Sequence, residues 1–146
     1  MKNSHAVLIA AVAVAATLVQ SERHHRQRLD LHAEQMHQAW IAEVAGNPEL
    51  RAIWTPPGGA LPSEEYANLL HSNRLISFLS AKFRVGLLTK DSLRSQARWL
   101  MQREVARSYW RQFGSFREDE ARDRTDRAFN AILSDEYVAA ADRDVV

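Results

Sequence analysis

The sequence predicts an all-α protein in which an N-terminal transmembrane helix continues into a small bundle of four or five helices. Helix-forming residues dominate the chain, and its 146 residues include only five glycines and four prolines. Apolar residues recur at helical spacing along most of the chain, and long β-branched runs are missing after the first twenty residues. The apolar fraction of 46% is large enough for a folded core and argues against a chain that is disordered over its whole length.

The first element is an apolar segment at residues 6–19, AVLIAAVAVAATLV, which carries no charge. As a helix it would reach about 21 Å, against a hydrocarbon thickness of roughly 30 Å. Its uncharged neighbours extend the stretch to residues 4–21, which approaches the minimum for a span and would contact membrane lipid. A membrane anchor is therefore favoured over a cleaved signal peptide and over a buried or interfacial helix.

Basic residues follow this segment closely, namely Arg23, Arg26 and Arg28, with His24 and His25 between them. By the positive-inside tendency, the C-terminal domain of a single-pass cell-membrane protein would then be cytoplasmic. The three arginines are candidates for contacts with anionic lipid headgroups. The predicted organisation is an anchor at 1–21, a helical domain at 22–141 and a frayed tail at 142–146.

The helical domain begins with a helix over 22–45 that carries one apolar stripe. Gly46 and Asn47 are expected to end it, and Asn47 to cap a short helix with Pro48 at its first position. Residues 55–62, TPPGGALP, predict a loop because neither helix nor strand tolerates that density of proline and glycine.

Ser63 is expected to cap the next helix, which would end at Gly86 with Leu87 folded back as a hydrophobic cap contact. Thr89 would cap the helix that follows. The residues that its pattern turns inward are Leu93, Ala97, Leu100 and Met101.

Three features complete the prediction for the C-terminal half. A helix break at 102–103 is allowed but is marked by neither glycine nor proline, whereas Gly114 and Ser115 are expected to break the chain. The last helix is expected over residues 117–141. Four aromatic residues are predicted to anchor the core, namely Trp40, Trp54, Trp99 and Trp110.

Charge is distributed unevenly along the chain. Residues 74–117 contain ten Lys and Arg against two acids, whereas residues 118–146 contain four Arg against nine acids. The candidate surface for an anionic partner consists of Arg94, Arg98, Arg103, Arg107 and Arg111. Pairing with the acids of the last helix is favoured, ahead of a lipid or protein partner and then of nucleic acid. Those acids are Glu118, Asp119, Glu120, Asp123 and Asp126.

No residue pattern predicts catalysis, a cofactor or a metal. Cysteine is absent, so neither a disulfide nor a thiolate nucleophile is possible. His25 and His32 share a helix face, but His37 does not, and a zinc site requires three or four convergent ligands. Glycine fingerprints for phosphates and nucleophile elbows are also missing. We therefore expect no enzyme, and no catalytic, cofactor-binding or metal-binding residue is assigned.

Four segments carry a resemblance to a known family: NPELRAIW at 47–54, NLLHSNRLISFLSAKFRVGLLTKDSL at 68–93, RSYW at 107–110 and FNAILSDEY at 129–137. Together with the apolar N-terminus, they resemble an uncharacterised actinobacterial family of short single-pass membrane proteins with a helical domain of unknown function. The resemblance implies an anchor and a helical domain. It implies no activity and no functional residues.

These observations favour a membrane-anchored helical interaction module without catalytic activity. It would present a cytoplasmic charged surface to a protein partner or to a second copy of itself. One alternative is an accessory protein of conjugative plasmid transfer, in which the basic surface would meet DNA-handling machinery. Another is a small enzyme or metal-binding protein whose site has no sequence signature.

Overall fold

The computed structural model describes residues 2–55 and 62–143, and the side chains of 12–55, 62 and 64–143. The described residues form six α-helices and no strand, which confirms the all-α class. The helices are α1 (Lys2–Gly46), α2 (Pro48–Trp54), α3 (Ser63–Arg84), α4 (Lys90–Met101), α5 (Glu104–Asp119) and α6 (Arg124–Arg143).

The chain divides into two compact units, residues 1–33 and 34–146, and α1 contributes to both. The predicted anchor, residues 1–21, lies inside the first unit. The second unit contains the end of α1 and the five helices that follow it among the described residues. Of the predicted tail, residues 144–146 lie outside the described residues.

The first unit is helical, and its described apolar side chains are exposed. Val12, Val14, Leu18 and Val19 are each between 60 and 70% exposed. Within the part of the chain that is described, no helix holds a segment sufficiently long and apolar to cross a membrane. The predicted transmembrane span therefore has no support there and stays a prediction. The side chains of residues 6–11, which begin the predicted segment, lie outside the described ones.

The junction between α1 and α2 follows the predicted pattern. α1 ends at Gly46, and Asn47 adopts an extended conformation as the N-cap of α2. The Oδ1 atom of Asn47 accepts hydrogen bonds from the backbone N–H groups of Glu49 at 2.9 Å and Leu50 at 3.4 Å. Pro48 occupies the first helical position, where its missing N–H costs nothing. Local capping chemistry is sufficient to set this boundary.

The start of α3 differs from the prediction by one residue. Ser63 is the first helical residue, and Pro62 occupies the cap position without a side-chain hydrogen bond. A proline suits that position because its fixed φ leads an extended chain into a helix. Glu64 and Glu65 lie in the first turn, where their charges complement the helix dipole. Of the loop predicted at residues 55–62, residues 56–61 lie outside the described residues.

The end of α3 follows the predicted glycine signal, with a different apolar contact. Gly86 has a φ of +81°, a conformation that L side chains rarely adopt. The backbone N–H of Leu87 donates to the carbonyl of Lys82 at 2.9 Å, which closes a Schellman turn. Leu87 was expected to fold back on the helix, but it is 71% exposed and Leu88 is buried instead.

The chain breaks between α4 and α5 without glycine or proline. Thr89 caps α4 as predicted, and its Oγ1 accepts from the backbone N–H of Ser92 at 3.1 Å. Gln102 is the C-cap of α4, and Arg103, in an extended conformation, is the N-cap of α5. The turn lets α4 pack on α6 while α5 packs on α3. Tertiary packing therefore selects a break that the sequence only allowed.

The predicted break at Gly114 and Ser115 is wrong, because α5 runs unbroken to Asp119. Gly114 is buried, and a Cβ atom there would lie 3.0 Å from Nε1 of Trp110. The glycine thus makes room for an indole ring one turn earlier. The last helix accordingly begins at Arg124 and not near residue 117.

The core of the second unit lies between α3, α4, α5 and α6. Its fully buried side chains include all four residues that the α4 pattern turned inward. A smaller cluster joins α1 to α3 through Ile41, Val44, Ala45 and Leu70. The main cluster contains Leu69, Ile76, Leu79, Leu88, Leu93, Ala97, Leu100, Met101, Ala106, Tyr109, Trp110, Phe129, Ile132, Leu133 and Ala140.

Only one of the four predicted tryptophan anchors is buried. Trp110 is 4% exposed, whereas Trp40, Trp54 and Trp99 are 42, 52 and 53% exposed. Trp40 and Trp54 instead meet edge to face, with ring centroids 5.5 Å apart. Apolar spacing alone does not distinguish the centre of a helical stripe from its margin, where an indole keeps one face in water.

Candidate functional site

The predicted cationic surface is divided by the break between α4 and α5. On α4, Nε of Arg98 donates to Oε2 of Glu136 at 3.1 Å. Arg94 donates to Glu136 at 3.2 Å and to Asp135 at 3.1 Å. These two arginines are therefore paired with the last helix, although their acids are not the ones that the sequence suggested.

Glu136 is a buried acid, at 4% exposure, between these two guanidinium groups. The hydrogen bond from Arg98 holds the pKa of the Glu136 carboxyl below its ordinary value, against the opposing effect of burial, and Arg94 adds to the lowering. This cluster connects α4 to α6 through a carboxylate that accepts three hydrogen bonds from the two arginines.

The remaining candidates lie at the start of α5 and interact locally. Arg103 stacks on Trp99, with Cζ 3.4 Å from the ring centroid, and donates to the Trp99 carbonyl. Arg107 and Arg111 both reach Glu104, at 2.7 and 3.2 Å. The hydrogen bond from Arg107, with a smaller contribution from Arg111, lowers the pKa of the Glu104 carboxyl. The five arginines thus divide into two groups, one on α4 and one at the start of α5.

The predicted acids act at other places. The Oδ1 atom of Asp123 accepts from the backbone N–H groups of Thr125 and Asp126, at 2.9 and 3.0 Å, and so caps α6. Those backbone bonds, with a further contribution from Arg84, lower the pKa of Asp123. Arg84 at the end of α3 binds both Asp123 and Asp126. Charge pairing therefore connects α3 to the start of α6.

The candidate headgroup residues lie on α1 within the first unit. Arg23, Arg26 and Arg28 are exposed there. Arg26 forms an ion pair of 2.8 Å with Glu22 one turn earlier, and its hydrogen bond lowers the pKa of the Glu22 carboxyl. Over the described residues, no group of three or more His, Asp or Glu side chains is placed to hold a metal.

An open groove of about 830 Å³ lies in the second unit, and we call it the Arg117 groove. It lies between α3, α5 and the start of α6, and Glu34 and His37 of α1 contribute to it. A volume of this size lies in the range of binding sites for small molecules and short peptide segments. Its aromatic and aliphatic lining consists of Tyr66, Leu69, Leu70, Tyr109, Phe113, Phe116 and Ala121.

Arg117 is a partly buried residue of this groove, and its hydrogen-bond partners are all neutral. Nε donates to the hydroxyl of Tyr109 at 2.9 Å. Nη2 donates to Oδ1 of Asn73 at 3.0 Å and to Oγ of Ser77 at 2.7 Å. The Tyr109 hydroxyl in turn donates to Asn73 at 2.7 Å. The network holds the guanidinium in one orientation.

The backbone of Arg117 is held as well. Nδ2 of Asn130, a buried side chain of α6, donates to the Arg117 carbonyl at 2.8 Å. This bond attaches the end of α5 to α6 and holds the backbone from which the Arg117 side chain extends. Phe116 beside it is 56% exposed, and Phe113 is 37% exposed. Apolar surface and a positioned cation thus face the same groove.

Sequence reasoning did not single out this group. Arg117 was counted only within the basic stretch, because its partners on α3 are about forty positions away in the chain. One local signal was present. Tyr109, Phe113 and Arg117 follow each other at intervals of four residues, which places an arginine on the same helix face as two aromatic rings.

The chain was compared with protein families, curated proteins and solved structures. No curated protein and no solved structure matches the chain. A family model described as a family of unknown function, DUF6082, matches residues 3–145. The match confirms that the chain is a member of an uncharacterised family, as its resemblance implied. Since the match covers nearly the whole sequence, the chain belongs to the DUF6082 family of unknown function.

Proposed function

We propose that this protein is a membrane-tethered helical interaction module without catalytic activity, and that it binds a segment of a protein partner in the Arg117 groove. The observation that carries the proposal is the combination of exposed phenylalanines with a positioned, partly buried guanidinium in one groove. Exposed apolar surface around a few oriented polar groups is typical of recognition sites.

The groove supports this role better than the basic stretch does. Arg94, Arg98 and Arg111 are already paired with acids of the same chain. A partner at those arginines would have to displace existing ion pairs. Phe113 and Phe116, in contrast, already expose rings that a partner could cover, and burial of apolar surface contributes about 25 cal/mol for each Å².

Photocrosslinking tests the groove as the binding site. We would replace Phe116 with p-benzoylphenylalanine in the full-length protein and irradiate the cells. The matched control carries the same substitution at Phe78, which is similarly exposed at 51% but does not line the groove.

A discrete crosslinked partner is expected from position 116 and not from position 78. The same product should disappear when Ser80, which also lines the groove, is replaced by tryptophan to fill the space. Equal products from both positions, or products that survive Ser80→Trp, would show that the groove is not the binding site.

Membrane tethering belongs to the same proposal and has separate support. An apolar helical face with Val14 and Leu18 exposed, followed by Arg23, Arg26 and Arg28, suits a helix in contact with lipid acyl chains and headgroups. In this arrangement the second unit would lie on the cytoplasmic side.

Fractionation and topology reporters test the tether. The full-length protein is expected to sediment with membranes and to require detergent for release, whereas Val14→Asp with Leu18→Asp should shift it to the supernatant. Reporters fused at the two ends would give its orientation. Full-length, untrimmed protein in the supernatant without detergent would refute the tether and leave the groove proposal intact.

A further inference from the structure

We infer that the segment bound in the Arg117 groove carries a carboxylate that accepts hydrogen bonds from Nη1 of Arg117, next to an apolar side chain that packs on Phe113 and Phe116. The inference rests on the proposed function, because it names the chemistry of the segment that the groove would bind. It follows from the hydrogen bonds of Arg117, its charge balance and the residues around it.

The first step is the count of donors on Arg117. A guanidinium has five N–H groups: one on Nε, two on Nη1 and two on Nη2. The bonds to Tyr109, Asn73 and Ser77 use Nε and Nη2, and Nη1 has no partner among the described residues. Since those residues include no fully buried side-chain polar atom without a partner, Nη1 is not fully buried. We therefore expect a ligand in the groove to reach it.

The second step is the charge of Arg117. The ion pairs formed by the described residues include none with Arg117, and its three side-chain hydrogen bonds all go to neutral oxygen atoms of Tyr109, Asn73 and Ser77. A partly buried cation with no counterion favours an anion that supplies both the opposite charge and an acceptor. Its network fixes the guanidinium in advance, so that binding would cost little side-chain entropy.

The third step distinguishes carboxylate from phosphate. Besides Arg117 and Arg122, three acids line the groove, namely Glu34, Glu120 and Asp126. Their charges repel a doubly charged phosphate more strongly than a singly charged carboxylate. Nη1 of Arg117 has no partner among the described residues, so the guanidinium offers an anion a single nitrogen. The groove therefore suits one carboxylate on one nitrogen.

The fourth step concerns the neighbouring side chain. Phe116 precedes Arg117 in the chain, and Phe113 lies one turn earlier on α5. Both rings line the groove while remaining partly exposed. A carboxylate alone would leave them in water. An apolar residue beside the acid would cover them, and we therefore expect an Asp or Glu next to an aromatic or large aliphatic residue.

Peptide selection provides the test. A phage-displayed library of random peptides would be selected on the full-length protein in detergent, and binders would be resynthesised with a fluorophore for polarisation assays. We expect enrichment of an acid next to an apolar residue. Replacing that acid by Gln should weaken binding to the wild-type protein roughly 10- to 100-fold. This comparison leaves the protein unchanged and is independent of its folding.

Variants of the protein complete the test. Arg117→Gln should weaken binding of the acidic peptide by a similar factor. It should hardly change binding of the peptide whose acid is replaced by Gln, because the substitution in the protein and the one in the peptide remove the same contact. Arg111→Gln removes an arginine of the same helix that does not line the groove, and it should retain the affinity. Circular dichroism melts would verify that both variants are folded.

Two results would overturn the inference while leaving the proposed function standing. One is that groove-binding peptides show no preference for an acid. The other is that a phosphoserine form binds more tightly than the glutamate form. If all selected peptides instead bind Phe116→Ala as well as the wild type, the groove is not the binding site, and the proposed function fails together with the inference.

Discussion

Nε of Arg98 on α4 lies 3.1 Å from Oε2 of Glu136 on α6, and that carboxylate is the most deeply buried acid of the described residues. Arg94 reaches the second oxygen of the same carboxylate at 3.2 Å. One glutamate thus holds two arginines of the neighbouring helix. The pairing joins the basic stretch at 74–117 to the acidic stretch at 118–146.

We predict that Glu136→Gln destabilises the second unit. The substitution removes the charge that both arginines approach and leaves a buried amide in its place, at a cost of about 1–3 kcal/mol. Urea denaturation followed by circular dichroism would measure it. Asp135→Asn is the control, because Asp135 is 61% exposed and its one ion pair among the described residues is with Arg94. An equal loss for both variants would contradict the role assigned to burial.

Stability should also fall in acid, with Glu136 contributing. Its pKa is lowered in the folded state, chiefly by Arg98, so the folded protein binds fewer protons than the unfolded chain. The contribution is complete above the unfolded pKa of about 4.3, and it is lost as the pH falls through the lower folded value. Urea midpoints at about pH 7, 4.5 and 3 would show this. Glu136→Gln should flatten the acid limb, and an unchanged slope would refute the assignment.

Gly114→Ala should destabilise the protein although alanine favours helices. In an open helix the change would gain about 1 kcal/mol. Here the new Cβ would lie 3.0 Å from Nε1 and 3.2 Å from Cδ1 of the buried Trp110 ring, and overpacking of this kind costs about 1–3 kcal/mol. Thermal melts would measure the net loss. In a Trp110→Phe background the penalty should shrink, whereas stabilisation in the wild-type background would exclude the close approach.

Trp99 and Trp110, which both lie in the basic stretch at 74–117, should respond differently to substitution by alanine. Trp110→Ala is expected to lose about 3–5 kcal/mol because it empties a site in the core. Trp99 is 53% exposed and stacks on Arg103, so Trp99→Ala should cost less than about 1 kcal/mol. Unfolding free energies of the two variants would test the contrast. Similar losses would mean that Trp99 contributes to the core.

Much of the helix pattern could be predicted because its signals are local. Asn47 accepts from backbone N–H groups two and three positions ahead, Thr89 accepts from the N–H three positions ahead, and Gly86 adopts a conformation that glycine favours. Each of these boundaries depends on atoms within one turn of the helix. The inward positions of α4 were also predictable, since a single stripe has one centre.

The candidate site was not predictable in the same way. The guanidinium of Arg117 is positioned by Asn73 and Ser77, which belong to α3 and approach only when α5 packs on that helix. The basic stretch attracted attention because its residues are close in sequence. Four of its arginines, Arg94, Arg98, Arg107 and Arg111, are paired with Glu104 or with acids of α6, which the charge pattern suggested only in outline.

By itself, therefore, the sequence determined the helical class, the caps at Asn47, Thr89 and Gly86, and the inward face of α4, because hydrogen bonds and periodicity within one or two turns suffice for these. Only the tertiary structure decided that Gly114 lies inside a helix, that one tryptophan is buried and three are exposed, and that Arg117 faces a groove. The physical reason is that each of these depends on atoms brought together from distant positions, where packing and charge outweigh local preference.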